Sequence, residues 1–263
     1  MKINLYQVDA FTSKPFAGNP AAVCPLNEWL SDTLLQAIAA ENNLSETAFF
    51  IRSENGYHLR WFTPSVEVDL CGHATLAAAW VIFHTLGETA EVIRFDTRSG
   101  ELRVRRDGDA LAMDFPAKIL EPLDENREVL NALGLERAEA VMISDDIVVV
   151  IDDERLIDQL QPDMTRLKQL PGRGVVVTAA GREFDFISRW FGPKVGVEED
   201  PVTGSAHTSL APYWSARLDK TSMTAQQGGQ RKGQLTCDIQ GDRVVLKGRV
   251  APYLEGFVIL PDG

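Results

Sequence analysis

A carboxylate and an imidazole set among apolar neighbours are the first residues of this chain with chemistry to offer. Glu46 starts an otherwise apolar stretch, Asn42-Asn43-Leu44-Ser45-Glu46-Thr47-Ala48-Phe49-Phe50. A carboxyl group held against Phe and Ala surfaces loses hydration, which raises its pKa toward the range useful for proton transfer. His73 lies in Cys71-Gly72-His73-Ala74-Thr75, just before a strongly apolar segment. Gly72 permits close backbone approach, and the free N–H groups of a helix start offer a place for an anion. An imidazole there can exchange a proton near neutral pH, and Cys71 is a nucleophile or base if its thiolate is favoured. A third group, Glu198-Glu199-Asp200-Pro201-Val202-Thr203-Gly204-Ser205-Ala206-His207, again puts a glycine and small polar residues before an apolar segment. Each group also admits a structural role. Glu46 can be a strand-end carboxylate in water or bound to backbone N–H, His73 a helix cap beside a small apolar Cys71, and Asp200 the start of a solvated Pro turn.

Hydrophobic periodicity supplies the elements that position these groups. Alternation predicts a strand over Lys2–Phe11, and Ala21–Pro25 reads as a short buried strand. Ser31 or Asp32 caps a helix running to about Asn42. Glu46–Ile51 and Gly56–Phe62 read as a hairpin joined through Glu54-Asn55-Gly56. Thr75–Leu86 is apolar nearly all round, the mark of a helix inside a core, and Gly87 ends it. Strands follow at Glu91–Phe95, Gly100–Arg105 and Ala110–Phe115. After a junction over 116–135, with a linking helix from Asp124 to Leu133, strands are expected at Val141–Ser144, Ile147–Ile151, Gly174–Ala179 and Glu183–Phe191. Helices are expected at Asp163–Gln169 and Thr208–Ala216. Strands at Gly233–Ile239, Asp242–Gly248 and Arg249–Leu260 complete the plan.

The second half repeats the first. Arg60-Trp61-Phe62-Thr63-Pro64 returns as Arg189-Trp190-Phe191-Gly192-Pro193, and Ser99-Gly100-Glu101-Leu102 as Lys232-Gly233-Gln234-Leu235. The offset drifts only from 129 to 133 residues, so one small insertion accounts for it. Solenoid repeats run roughly 20–50 residues, so a period this long means two similar domains instead. The expected boundaries are 1–117, with C-terminal residues able to pack back onto that domain, and 125–263. Each domain should be an α+β unit, mainly antiparallel strands with one buried helix. Two alike domains are expected to share a cleft of the kind that takes small molecules. Glu46 has no carboxylate counterpart in Gly174-Val175-Val176-Val177-Thr178, which favours one base over two matched ones.

With 263 residues, 44% apolar and 24% charged, the composition is that of a soluble globular protein. A net charge of −12 without a Lys/Arg cluster argues against nucleic-acid partners. Three scattered cysteines suggest neither a disulfide framework nor a structural zinc site. No phosphate loop or Gly-x-Gly-x-x-Gly is present. The start lacks a long apolar core and no stretch is long enough for a membrane span, so a cytoplasmic protein without membrane partners is expected. A homodimer is the expected oligomer, since dimers are the commonest.

Taken together, Asp9-Ala10-Phe11-Thr12, Phe16-Ala17-Gly18-Asn19-Pro20-Ala21-Ala22-Val23, Asn43-Leu44-Ser45-Glu46-Thr47-Ala48-Phe49, Arg60-Trp61-Phe62-Thr63-Pro64, Glu67-Val68-Asp69-Leu70-Cys71-Gly72-His73-Ala74-Thr75 and Asp200-Pro201-Val202-Thr203-Gly204-Ser205-Ala206-His207 resemble the phenazine-biosynthesis PhzF-like isomerase family. The motifs come in family order across nearly the whole chain. The resemblance implies a diaminopimelate-epimerase-like fold of two pseudo-symmetric domains, each a curved antiparallel sheet or barrel around a central helix. It implies cofactor-independent isomerisation, a proton being removed from one carbon and returned to another, with a small carboxylate-bearing substrate. Glu46, His73 and Asp200 match the family's catalytic positions. Asn19, Ser45, Gly72, Gly204 and Ser205 match positions near substrate, and no metal is implied. Related epimerases use two opposed cysteines; Cys71 lies where the first would be, and the second would fall near Thr203. An amino-acid epimerase or racemase using Cys71 is the alternative enzyme, and a non-catalytic small-molecule binding protein the alternative class.

Overall fold

The computed structural model describes residues 1–124 and 126–260. Glu125, in the linking helix expected from Asp124 and at the expected domain start, lies outside the described residues, as do residues 261–263. The chain divides into two compact units, one of residues up to Asp114 plus the segment from Lys247 onward, the other Phe115–Leu246. No helix among the described residues is long and apolar enough to cross a membrane.

In the first unit the chain runs through β1 (Lys2–Ala10), β2 (Asn19–Leu26), α1 (Asp32–Asn42), β3 (Glu46–Ser53), β4 (Gly56–Phe62), β5 (Glu67–Val68), α2 (Gly72–Trp80), β6 (Val92–Thr97), β7 (Gly100–Asp107) and β8 (Ala110–Pro116). The last strand, β18 (Val250–Ile259), runs antiparallel to β1 from Lys2 opposite Ile259 to Ala10 opposite Val250, which is why the C-terminal segment belongs with this unit. α2 is buried along most of its length, and its Ala74, Ala77, Ala78 and Ala79 let strands approach closely. It starts three residues before the position periodicity suggests, because Cys71 is extended (φ −144°, ψ 108°) and Gly72 already helical. Beyond Trp80 the helix widens into a π turn over Val81–Thr85.

The second unit runs through β9 (Glu121–Pro122), α3 (Arg127–Leu133), β10 (Ala140–Ile143), β11 (Ile147–Val150), α4 (Glu154–Gln159), α5 (Met164–Leu167), β12 (Val175–Ala180), β13 (Phe186–Gly192), β14 (Val197–Asp200), α6 (Gly204–Leu218), β15 (Ser222–Gln227), β16 (Gly233–Gln240) and β17 (Arg243–Gly248). α4 and β15 were not anticipated from the sequence; β15 reads Ser-Met-Thr-Ala-Gln-Gln and lacks a continuous apolar run. α6 is longer than expected and contains Pro212, which has no N–H for the Thr208 carbonyl. The backbone N–H of Lys118 donates to that carbonyl instead, at 2.9 Å, so the helix continues.

The strands of neither unit are all antiparallel. β2 and β3 are parallel, as are β4 and β6, β11 and β12, and β13 and β15. Parallel neighbours need crossovers, and these pairs are bridged by helices: α1, α2, α4 with α5, and α6 respectively. The register also gives the repeat its residue-by-residue meaning. Phe62 faces Thr47 in the first unit and Phe191 faces Val175 in the second. Glu46 therefore matches Gly174, and Ser45 matches Arg173.

The repeated Arg-Trp-Phe is a clamp. Arg60 donates from Nε and Nη2 to Glu67 at 2.7 and 2.8 Å, and Arg189 does the same to Glu199 at 2.7 and 2.8 Å. Each guanidinium also lies over the next aromatic ring, Phe62 at 5.1 Å and Phe191 at 4.9 Å. Arg189 is the more deeply buried and gives two further hydrogen bonds to the Ile157 and Leu160 carbonyls. Arg189→Met is therefore expected to lower the unfolding free energy of the second unit by about 3–5 kcal/mol, the range for stripping one partner from a buried pair. Arg60→Met is expected to cost less than half as much, because Arg98 Nη2 lies 2.7 Å from Glu67 Oε2 and keeps that carboxylate paired. Hydrogen exchange in each unit measures both, and equal losses would contradict the assignment.

Candidate active site

Glu46 owes its place to the way α1 stops. Asn43 adopts the left-handed conformation at φ 49° and its N–H closes on the Ala39 carbonyl. The Asn42 side chain then donates to Thr47 Oγ1 at 3.1 Å, tying the end of α1 to the residue after Glu46. Glu46 opens β3 opposite Ala21 of β2. Asn19 begins β2 with no solvent exposure, after Gly18 at φ 65°; a Cβ on Gly18 would sit 2.1 Å from the Ala10 carbonyl oxygen. Ser45 is half-buried beside Glu46 in the chain.

These elements converge on the first turn of α2. His73 Nε2 lies 3.2 Å from Glu46 Oε2, off the line of a good hydrogen bond. His73 Nδ1 lies 3.2 Å from Asn19 Nδ2 and 3.4 Å from Cys71 Sγ. An amide NH₂ only donates, so Nδ1 accepts from Asn19 and the ring hydrogen sits on Nε2, on the Glu46 side. His73 is 5% exposed, and burial pushes its pKa down to about 3. It is a neutral donor at physiological pH, which revises the sequence reading of an imidazole titrating near neutrality. Cys71 is the extended N-cap of α2; the Thr75 hydroxyl and N–H both donate to its carbonyl, at 2.6 and 3.1 Å. Glu46, Cys71 and His73 place donor atoms within 4.8 Å of one another, a set that suits a divalent ion. An ion between Cys71 and His73 Nδ1 would displace Asn19, and one between Nε2 and Glu46 would leave the thiol on the other side of the ring.

The second unit builds the matching helix start from other residues. Thr203 is the extended N-cap of α6, and Gly204 and Ser205 follow in its first turn. Thr203 Oγ1 donates to Asp200 Oδ2 at 2.5 Å, and Gln227 accepts from Thr203 N–H at 3.0 Å while donating to the Asp200 carbonyl at 2.9 Å. His207 Nδ1 donates to the Thr203 carbonyl at 2.9 Å, the role Thr75 plays in α2. Burial lowers the His207 pKa to about 4, although its bond to Thr203 acts the other way. Ser205 Oγ accepts from Arg173 Nη2 at 2.8 Å. Burial works against the charge on Arg173, but Asp146, with Asp145 and Asp200 beyond it, more than restores it and raises its pKa. Sequence reasoning did not single out Arg173 or Asp146. The available signal was Arg173 immediately before the strand that matches β3.

The two buried histidines carry a stability consequence. Both are neutral in the folded state and protonate below about pH 6.5 when unfolded. The unfolded chain thus binds more protons, so stability present above pH 6.5 is lost as pH falls toward 4, by up to about 1.4 kcal/mol per pH unit for each histidine. His73→Gln is expected to shrink the stability loss between pH 7 and pH 5 by about 2 kcal/mol. Urea unfolding at the two pH values measures this, and an unchanged loss would mean His73 is not buried neutral.

Comparison with known proteins places the chain. A family model described as phenazine biosynthesis-like protein matches residues 8–256. An uncharacterized isomerase of Pseudomonas aeruginosa is 63% identical over 256 residues, spanning 97% of this chain and 98% of its own. The crystal structure of a PhzF-family protein of Enterococcus faecalis is similar with a TM-score of 0.96 and 43% identity, covering 99% of this chain and 100% of its own. A hydroxyproline epimerase of Agrobacterium vitis, 10% identical, shares the fold alone, with a TM-score of 0.63 over 99% of this chain and 93% of its own. The fold is thus diaminopimelate-epimerase-like, and the chain belongs to the phenazine-biosynthesis PhzF-like isomerase family.

Proposed function

We propose that this protein is a cofactor-independent isomerase that moves a proton between two carbons of a small carboxylate-bearing molecule, with Glu46 as its acid and base. The carrying observation is the 3.2 Å approach of Glu46 Oε2 to Nε2 of a neutral, buried His73. With its hydrogen on Nε2, His73 presents Glu46 with a donor rather than a competing base. Once Glu46 has taken a proton from a C–H bond, the neighbouring imidazole is too weak a base to draw it off. The proton stays on Glu46 and returns to the substrate at a second carbon. Asn19 fixes the ring through Nδ1, so the His73 hydrogen stays on the Glu46 side.

Asp200, Gly204 and Ser205 are proposed as substrate-holding residues, their N–H groups and hydroxyl taking a carboxylate or the charge that develops on proton removal. Support comes from the internal repeat: Gly204 and Ser205 follow the α6 N-cap just as Gly72 and His73 follow that of α2. A second reading rests on Cys71 Sγ, 3.4 Å from His73 Nδ1, as the acid or base of an epimerase.

Hydrogen exchange from heavy water, screened across amino acids and dihydroaromatic acids, separates the two. Glu46→Gln is expected to lose about 10²–10⁴-fold in exchange rate on any substrate found, with Cys71→Ser within about tenfold of the parent. Retained exchange in Glu46→Gln with loss in Cys71→Ser would replace the isomerase reading by the epimerase one.

A further inference from the structure

Arg173 occupies the place in the second unit that Ser45 holds in the first, one residue before the match of Glu46. Its side chain is 36% exposed but held by an ion pair and an aromatic ring. Asp146, 4% exposed at its side chain, accepts from Arg173 Nε at 3.1 Å and from Nη2 at 2.7 Å. Asp146 itself sits where the parallel register places Ala21 in the first unit. The backbone N–H of Arg173 donates to the Asp145 carbonyl at 2.8 Å, and its guanidinium lies 5.3 Å over the Trp190 ring. From this mount Nη2 reaches Ser205 Oγ at 2.8 Å. In the first unit Glu46 meets His73, the residue that matches Ser205; in the second, a cation from the same edge meets Ser205.

We propose that Arg173 is a positioning residue that fixes the Ser205 hydroxyl as a hydrogen-bond donor to a substrate carboxylate. The chemistry follows from the donor inventory. A guanidinium donates only, so the Ser205 oxygen must accept, and its single O–H is turned away from Arg173. No described residue accepts from that hydroxyl; its one described side-chain bond is the one from Arg173. A donor already polarised by a cation bonds an anion better than a free hydroxyl does. The half-buried Ser205 in the first turn of α6 is thus set for a carboxylate acceptor over a neutral amide or alcohol. The inference rests on the proposal that Ser205 meets substrate, and it names Arg173 and Asp146 as the reason that contact selects an anion.

Benzoate and benzamide are the probes, titrated into the full-length chain and followed by backbone amide NMR. Benzoate is expected to bind saturably with shifts at Gly204, Ser205 and Ala206, and benzamide about tenfold more weakly or less. Arg173→Met is expected to weaken benzoate about tenfold, and Ser205→Ala similarly. In the Ser205→Ala background, Arg173→Met should change benzoate affinity by less than about twofold, because Arg173 acts through Ser205. A merely structural arginine would weaken binding in both backgrounds. If Arg173→Met fails to fold, Arg173→Lys carries the same cycle: it keeps the charge near Asp146 and loses the fork. Equal benzoate and benzamide binding, no saturable benzoate binding, or an undiminished arginine effect in the Ser205→Ala background would each overturn the proposal. Benzoate binding needs no proton transfer, so these results stand or fall independently of the Glu46 exchange experiment.

Discussion

The first turns of α2 and α6 are buried without the side-chain cap that most helix starts carry. Three other helices do carry one: Ser31 caps α1, Asp153 caps α4 and Asp163 caps α5, each through a side-chain oxygen, while α3, like the inner pair, has no side-chain cap bond. The two inner helices begin at N-caps that are extended like those of α1, α4 and α5, but the side chains of Cys71 and Thr203 make no capping bond. What anchors them is a side chain four residues on, Thr75 or His207, donating back to the N-cap carbonyl. Each helix is thus secured from inside its own first turn, with no side-chain cap over its N–H groups. Everything else at the site is arranged around that choice.

Desolvation is the second constraint. A histidine placed at a buried helix start is near the positive end of the helix dipole and far from water, and both disfavour an imidazolium. His73 is neutral for that reason, and Asn19 decides which nitrogen keeps the hydrogen. The same burial pushes the Cys24 thiol up to about 12, which leaves it an inert core atom. In the first unit, donor and acceptor atoms of Glu46, His73 and Cys71 lie close to one another.

Much of this was legible in the sequence, and the reasons are specific. The start of Gly56–Phe62 was legible because a two-residue turn leads into a Gly; a Cβ on Gly56 would sit 2.3 Å from the Arg94 carbonyl oxygen. The start of α1 was legible from Ser31, and Glu46 and His73 stood out in the sequence as polar residues stranded in apolar runs. The starts of α2 and α6 were read late because Gly72 and Gly204 are poor helix formers, and nothing local says that tertiary burial overrides that. Parallel pairing was missed because a parallel and an antiparallel strand differ in crossover, not in alternation. Arg173 was missed because its meaning comes from register: the pairing of β12 with β13 sets it one place before the match of Glu46.

That register also explains why the repeat is unequal where it matters. Gly174, the match of Glu46, has no room for a side chain: a Cβ there would lie 2.6 Å from Trp190 Cζ2 and 2.7 Å from the Phe191 carbonyl oxygen. The Trp190 ring also fills the space over Gly192, where a Cβ would come within 1.9 Å of it. The first unit has Thr63 at the place matching Gly192 and a carboxylate at the place matching Gly174. One tryptophan, tolerated by two glycines, thus excludes a second acid at the matched position. It also presents the ring on which the Arg173 guanidinium lies, 5.3 Å from its centre. Trp61 stands at the matching place in the first unit, so the difference lies in the glycines: Gly174 and Gly192 leave room for the Trp190 ring where the first unit has Glu46 and Thr63.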